Sequence, residues 1–99
     1  MDNMSKEDGI ITVMLLRLKQ QRLPRVFALH EKVLRGDVLD DYDIGFLNNV
    51  CCEAKNCHIY CQHHPEYNDL FSRLTHFFHE IATTALENEK HQKHLLLLH

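Results

Sequence analysis

The sequence predicts an all-α protein, a small up-and-down bundle of four helices. Apolar residues recur with helical spacing in four segments, and no segment alternates apolar and polar residues like a half-buried strand for more than a few positions. Capping residues, glycine and proline separate the segments. A bundle of three helices with the first kinked at Pro24 is the alternative, because a proline inside a helical pattern can bend a helix without ending it.

The first two segments are divided by Pro24. Ser5 is a suitable N-cap for the first helix, and Asp8 lies in its first turn. The apolar residues that follow at helical spacing are Ile11, Met14, Leu15 and Leu18. Pro24 suits the first turn of a second helix, and Gly36 can take the left-handed conformation that ends one. The residues that this second helix turns inward are Val26, Leu29, His30 and Val33.

Acidic residues mark the start of the third helix, which is predicted near Tyr42, since carboxylates stabilise the positive end of a helix. Its inward residues are Phe46, Leu47, Val50, Cys51 and Ala54. His64 and Pro65 open the fourth helix. Its apolar stripe is Tyr67, Leu70, Phe71, Leu74, Phe77, Phe78, Ile81, Ala82, Ala85 and Leu86. This stripe is the clearest in the chain and predicts the main packing face.

The 99 residues are expected to form a single domain over 1–99, with residues 1–4 and 91–99 poorly ordered. An apolar fraction of 44% and a charged fraction of 25% are typical of globular proteins. No apolar run approaches ~20 residues, so no membrane span is predicted. No basic region precedes an apolar run at the first residues, which indicates a cytoplasmic location with reduced thiols.

Charge is divided unevenly along the chain. Residues 1–36 carry seven Lys and Arg against four acids, a net of +3, whereas residues 37–99 carry four against ten, a net of -6. The total of -3 is opposite in sign to the field that a nucleic-acid binder needs. Nucleic-acid binding is therefore not predicted.

Seven of the fourteen residues from 51 to 64 are cysteine or histidine. If the third helix continues to about Cys61, at ~100° per residue, most of the cysteines share its inward face and Cys52 points away. Buried free thiols are the resulting prediction, since cysteine packs as a small hydrophobe. The alternative is zinc binding or thiol redox chemistry, for which the candidate ligands are Cys57, Cys61 and His64. No second pair of ligands and no Cys-x-x-Cys spacing supports that alternative.

The acidic run from Asp37 to Asp43 is followed by Gly45, as in some calcium loops. Aligned on that glycine, a calcium loop would place Tyr42 and Cys51 where oxygen ligands belong, so helix capping is the simpler interpretation. No phosphate-binding glycine loop and no nucleophile motif occurs in the sequence. The sequence predicts neither an enzyme nor a bound cofactor.

Val13 and Leu16 lie on the side of the first helix opposite its inward stripe. A helix that is apolar on both sides is usually covered on both. We therefore expect the first helix to contact a second copy of the chain or a partner protein. The alternative is that both sides of this helix are buried within a single chain. The sequence predicts a protein that acts through protein–protein contacts, as a homodimer or an adaptor.

Overall fold

The computed structural model describes residues 6–98 and consists of three helices. Helix α1 covers residues 6–34, α2 covers Asp41–Tyr60 and α3 covers Asn68–Leu97. A short 3₁₀ turn, Pro65–Tyr67, precedes α3. No strand occurs within the described range. The all-α prediction is confirmed.

The four-helix prediction is wrong, and the three-helix alternative is confirmed, because α1 continues through Pro24. The parts of α1 are the α-helical Lys6–Arg17, the π-helical Leu18–Arg22 and the α-helical Leu23–Leu34. Proline lacks an N–H, and its ring would clash with the carbonyl group four residues earlier, that of Gln20. The π turn widens the helix at this point, and the Leu23 N–H donates to the Leu18 carbonyl oxygen. The helix is therefore irregular before Pro24 without ending there.

Helix α1 ends at Gly36, as the sequence predicts. The glycine has a φ of 89°, in the left-handed region that a side chain disfavours. Its N–H donates to the Val33 carbonyl oxygen at 3.0 Å, and the Asp37 N–H donates to that of Lys32 at 3.2 Å. These two bonds form a Schellman motif, which satisfies carbonyls that the helix end would leave unpaired.

Helix α2 starts with a capping box. The Asp43 N–H donates to the Asp40 carboxylate at 2.8 Å, and the Asp40 N–H donates to that of Asp43 at 3.3 Å. Lys32 Nζ donates to Asp43 Oδ2 at 2.7 Å, which ties the end of α1 to the start of α2. Burial alone would raise the pKa of Asp43, but the hydrogen bonds from Lys32 and from the Asp40 backbone hold it below its usual value. The interpretation of these acids as helix caps is confirmed for Asp40 and Asp43.

Successive helices run antiparallel. The end of α1 contacts the start of α2 through Lys32, and the turn after α2 returns to the start of α1, where His64 lies 3.1 Å from Asp8. Helix α3 packs beside the second half of α1, with the Phe27 and Phe77 rings 5.5 Å apart. Asn88 Nδ2 donates to the Val33 carbonyl oxygen at 2.8 Å and fixes α3 to the end of α1.

The core lies between the three helices. Its buried residues are Ile11, Leu18, Val26, Leu29, Val33, Leu47, Val50, Ala54, Cys57, Cys61, Phe71, Leu74, Phe78 and Ile81. All four of the apolar residues that we expect at the centre of the last helix, Phe71, Leu74, Phe78 and Ile81, are among them. The stripe predicted there is nevertheless too wide. Leu70, Ala82 and Leu86 are exposed, because Leu70 lies at one edge of the stripe and the other two lie at the opposite edge.

The molecule is elongated, with extents of 71 × 21 × 17 Å. Its radius of gyration is 16.9 Å, whereas a compact domain of this length has a value of about 13 Å. Residues 89–98, the last turns of α3 with Leu98 after it, project beyond Asn88 with every residue exposed. The sequence predicts poor order for residues 1–4 and 91–99. Residues 91–98 lie in this projection, and their poor order stays a prediction. Residues 1–4 and His99 lie outside the described residues.

Candidate functional site

The four cysteines divide between two sides of α2. Cys57 and Cys61 are buried in the core, and Cys52 is exposed on the opposite side. Cys51 is half-buried, because it lies at the edge of the inward face. The helical phase thus predicts the burial of Cys57 and Cys61 and the exposure of Cys52, and overstates the burial of Cys51.

The two buried thiols form a hydrogen-bonded pair. Burial, with a smaller contribution from the neighbouring Cys61, raises the pKa of Cys57 to about 11. Burial also raises the pKa of Cys61, although the hydrogen bond from Cys57 opposes that effect. Both side chains are therefore protonated at neutral pH. A protonated, buried thiol is a poor nucleophile and a poor metal ligand.

His64 is engaged by carboxylates rather than by the thiols. Its Nε2 lies 3.1 Å from Asp8 Oδ1 and 3.8 Å from Glu7 Oε1, and its Nδ1 lies 3.2 Å from Glu66 Oε1. The ring thereby joins the turn after α2 to the first turn of α1. This contact follows from the antiparallel packing of the two helices, which sequence spacing alone does not show.

The set Cys57, Cys61 and His64 does not come together as a ligand group. Within residues 6–98, no three or more His, Cys, Asp or Glu side chains are placed to hold a metal ion. His58, the other histidine near the thiols, stacks on Phe71 with ring centroids 4.7 Å apart. The zinc alternative stays a prediction that a metal determination can test.

A row of aliphatic side chains lies on the outside of α1. Ile10, Val13 and Leu16 are 41%, 56% and 47% exposed, respectively. On the opposite side of the same helix, Ile11 and Leu18 are buried in the core. We call Ile10, Val13 and Leu16 the outer row. Their spacing of three residues keeps them on one side of the helix.

Gly9 lies four residues before Val13 and on the same side of α1. A glycine inside a helix costs about 1 kcal/mol relative to alanine. Apart from the local helix backbone, no atom of residues 6–98 lies within 4 Å of the position that a Cβ would take, so the packing of these residues does not require glycine here. A missing side chain lets another backbone approach the outer row closely.

The sequence identifies Val13 and Leu16 but misses two features of the surface. Ile10 belongs to the row, and its spacing to Val13 is the signal that would have identified it. The outward face of α2 is also exposed over its whole length and carries Ile59, which is 65% exposed. Helical phase places Cys52 on that side, and the same rotation applied along the whole of α2 identifies the other residues of the face.

Two further findings bear on function. None of the helices in residues 6–98 combines the length and the apolar character needed to cross a membrane. No family model matches the chain, and no curated protein and no solved structure shows significant similarity to it.

Proposed function

We propose that this protein acts through protein–protein contacts as a cytoplasmic homodimer, with the outer row of α1 as the contact and no catalytic activity of its own. The observation that carries the proposal is the exposure of Ile10, Val13 and Leu16 on a helix whose opposite side packs into the core through Ile11 and Leu18. Removing such side chains from water stabilises an assembly by about 25 cal/mol per Å² of apolar area.

The shape of the monomer supports self-association. A folded chain of 11.7 kDa is expected to expose about 5,900 Å². The structure exposes 7434 Å². The excess is about 1,500 Å², and a standard protein–protein interface buries about 800 Å² on each partner. Dimer formation would therefore remove about half of the excess.

An antiparallel pairing of two α1 helices fits the residues of the row. With Val13 on the two-fold axis, Ile10 of one copy lies beside Leu16 of the other, and both such contacts form at once. Lys6 then faces Gln20 of the second copy, so no like charges meet. Gly9 gives the second backbone room to approach.

The outer row is tested by a leucine-to-lysine change at Leu16, with the same change at Leu34 as the matched control. Leu34 is also an exposed leucine of α1, but it lies eighteen residues further along the helix. Size-exclusion chromatography with light scattering should show a dimer for the wild type and L34K. L16K should elute as a monomer with unchanged helical circular dichroism. Equal masses for L16K and L34K would contradict the assignment of the contact to this row.

The alternative function is metal binding or thiol redox chemistry in residues 51–64. The buried, protonated state of Cys57 and Cys61 argues against it. Elemental analysis of protein purified without added metal tests whether the protein binds a metal ion. Stoichiometric zinc, lost together with helicity on chelation, would replace the protein-contact proposal.

A further inference from the structure

The outward face of α2 is exposed, and the charged side chain near its middle is Lys55, which lies to one side of the centre line. The residues on it, continuing into the following turn, are Tyr42, Gly45, Asn48, Asn49, Cys52, Asn56, Ile59, Tyr60 and His63. We propose that this face binds a second copy of the chain, with the two α2 helices antiparallel and Cys52 on the two-fold axis. This contact is separate from the outer row of α1 and goes beyond the function proposed above.

A seam of three residues runs along the centre of the face. Gly45, Cys52 and Ile59 are seven residues apart, and seven residues fall about 20° short of two full turns. This is the spacing at which one helix keeps the same side towards a partner helix. The two small residues and the large exposed one thus lie on a single line.

Antiparallel pairing matches this seam in shape. Gly45 and Ile59 are equally distant from Cys52, so each Ile59 faces Gly45 of the second copy. Ile59 is 65% exposed, and no atom lies within 4 Å of the position of a Gly45 Cβ. A large side chain thereby meets an open position twice in every dimer. The pairing also accounts for a glycine that no contact within the chain requires.

The polar residues beside the seam match in the same register. Asn48 lies opposite Asn56 of the second copy, where the two amides can donate to and accept from each other. At the ends of the contact, Asp41 lies near the turn that follows α2 in the second copy. Gln62 and His63 of that turn are not acids, so no two carboxylates meet there.

A parallel arrangement of the same face fails on these points. It would place Ile59 against Ile59 and Gly45 against Gly45, leaving a gap at one end of the seam. It would also bring the two Asp41 carboxylates together. The antiparallel register is therefore the one that the residues support. A contact between one helix of each copy is small, so we expect roughly micromolar or weaker affinity.

Cys52 provides a direct test, because it is exposed, unlike the other three cysteines, and would meet its own copy on the axis. Mild oxidation of the full chain with diamide should yield a covalent dimer on a non-reducing gel, and C52S should yield none. The matched control moves the thiol by three residues, in C52S/K55C. Two copies of Cys at 55 would lie about 9 Å apart along the helix axis, so this variant should cross-link slowly. Equal rates for the wild type and C52S/K55C would mean random collision and would overturn the proposal.

The register is tested by mixing two variants, C52S/N48C and C52S/N56C. Each alone places its two thiols far apart, whereas the mixture brings position 48 of one copy against position 56 of the other. Cross-linking of the mixture at least tenfold faster than of either variant alone is expected. The same rate in all three samples would overturn the antiparallel register.

The contact between α2 helices can be tested independently of the contact between α1 helices. In the L16K background, the Cys52 cross-link should persist, since the two faces lie on different helices. Loss of the cross-link in folded L16K would show that Cys52 meets its copy only as a consequence of the α1 dimer, and the second face would be withdrawn. A persistent cross-link with an unchanged L16K mass would retain this face and refute the α1 dimer.

Discussion

Both sides of α2 carry cysteine, but the cysteines of one side are buried and that of the other side is exposed. Cys57 and Cys61 face the core, where burial keeps their thiols protonated, while Cys52 faces solvent from the same helix. A dense cluster of cysteine and histidine is thus divided by helical rotation into a packed part and a surface part. The comparison teaches that the inward sides of the helices account for the fold, and that function has to be sought on the outward sides.

The largest effect is expected on the inward side, at Phe78. Replacing this buried ring by alanine should reduce the free energy of unfolding by about 3–5 kcal/mol, because it leaves a cavity between α2 and α3. Leu86 lies on the same helix with its side chain exposed, so L86A should cost less than about 0.5 kcal/mol. Urea denaturation measures both. A loss below about 1 kcal/mol for F78A would mean that this side of α3 is not the packed one.

A smaller effect is expected at Asp43, the buried carboxylate between α1 and α2. D43N should cost about 1–3 kcal/mol, since it removes the charge from the bonds to Lys32 and Asp40. The control is D41N, which changes an exposed acid of the same helical turn. Chemical denaturation at pH 7 compares the free energies of unfolding of the two variants. Equal decreases would show that the capping network at Asp43 adds no more stability than an exposed acid does.

The same residue predicts a dependence of stability on pH. The pKa of Asp43 is lower in the folded chain than the unfolded value near 3.8. Its contribution is therefore present above that value and is lost as the pH falls below it. Between about pH 5 and pH 2, the free energy of unfolding should decrease more steeply for the wild type than for D43N. Parallel curves would show that Asp43 is not stabilised as a carboxylate.

The comparison of the thiols themselves is tested by their reactivity. At pH 8, a thiol-reactive disulfide reagent should modify Cys52 quickly, Cys51 more slowly, and Cys57 and Cys61 only as the protein unfolds. All four should react together in denaturant, which provides the control. Peptide mapping identifies the modified residues. Rapid reaction at Cys57 in the native protein would place that thiol on the surface and favour a redox role.

Much of the fold follows from the sequence because helical period and capping are local. Gly36, the start of α2 and the central stripe of α3 are each set by residues within a few turns of one another. The continuity of α1 through Pro24 is not set by local residues alone, since it depends on whether a π turn can accommodate the proline. Local patterns therefore overstate the number of helices by one.

The candidate surfaces follow from the sequence less completely. The sequence places Val13 and Leu16 opposite the inward stripe of the first helix, but it does not decide whether the chain itself covers them, because the rotation of the helix is not encoded locally. The sequence does not predict the carboxylates around His64 or the hydrogen bonds of Asn88 to the end of α1. These contacts join residues that are distant in sequence. Their partners depend on how the helices are arranged, which no local pattern encodes.

The central claim, that the outward sides of the helices bind other copies of the chain, is tested most directly by sedimentation equilibrium over a range of concentrations. We predict that the wild type has a mass well above 11.7 kDa at high micromolar concentration. L16K and I59K should each reduce that mass, and the double variant should sediment at 11.7 kDa while remaining helical. A wild-type mass of 11.7 kDa at the highest concentration would contradict the account, because the exposed rows would then face only water.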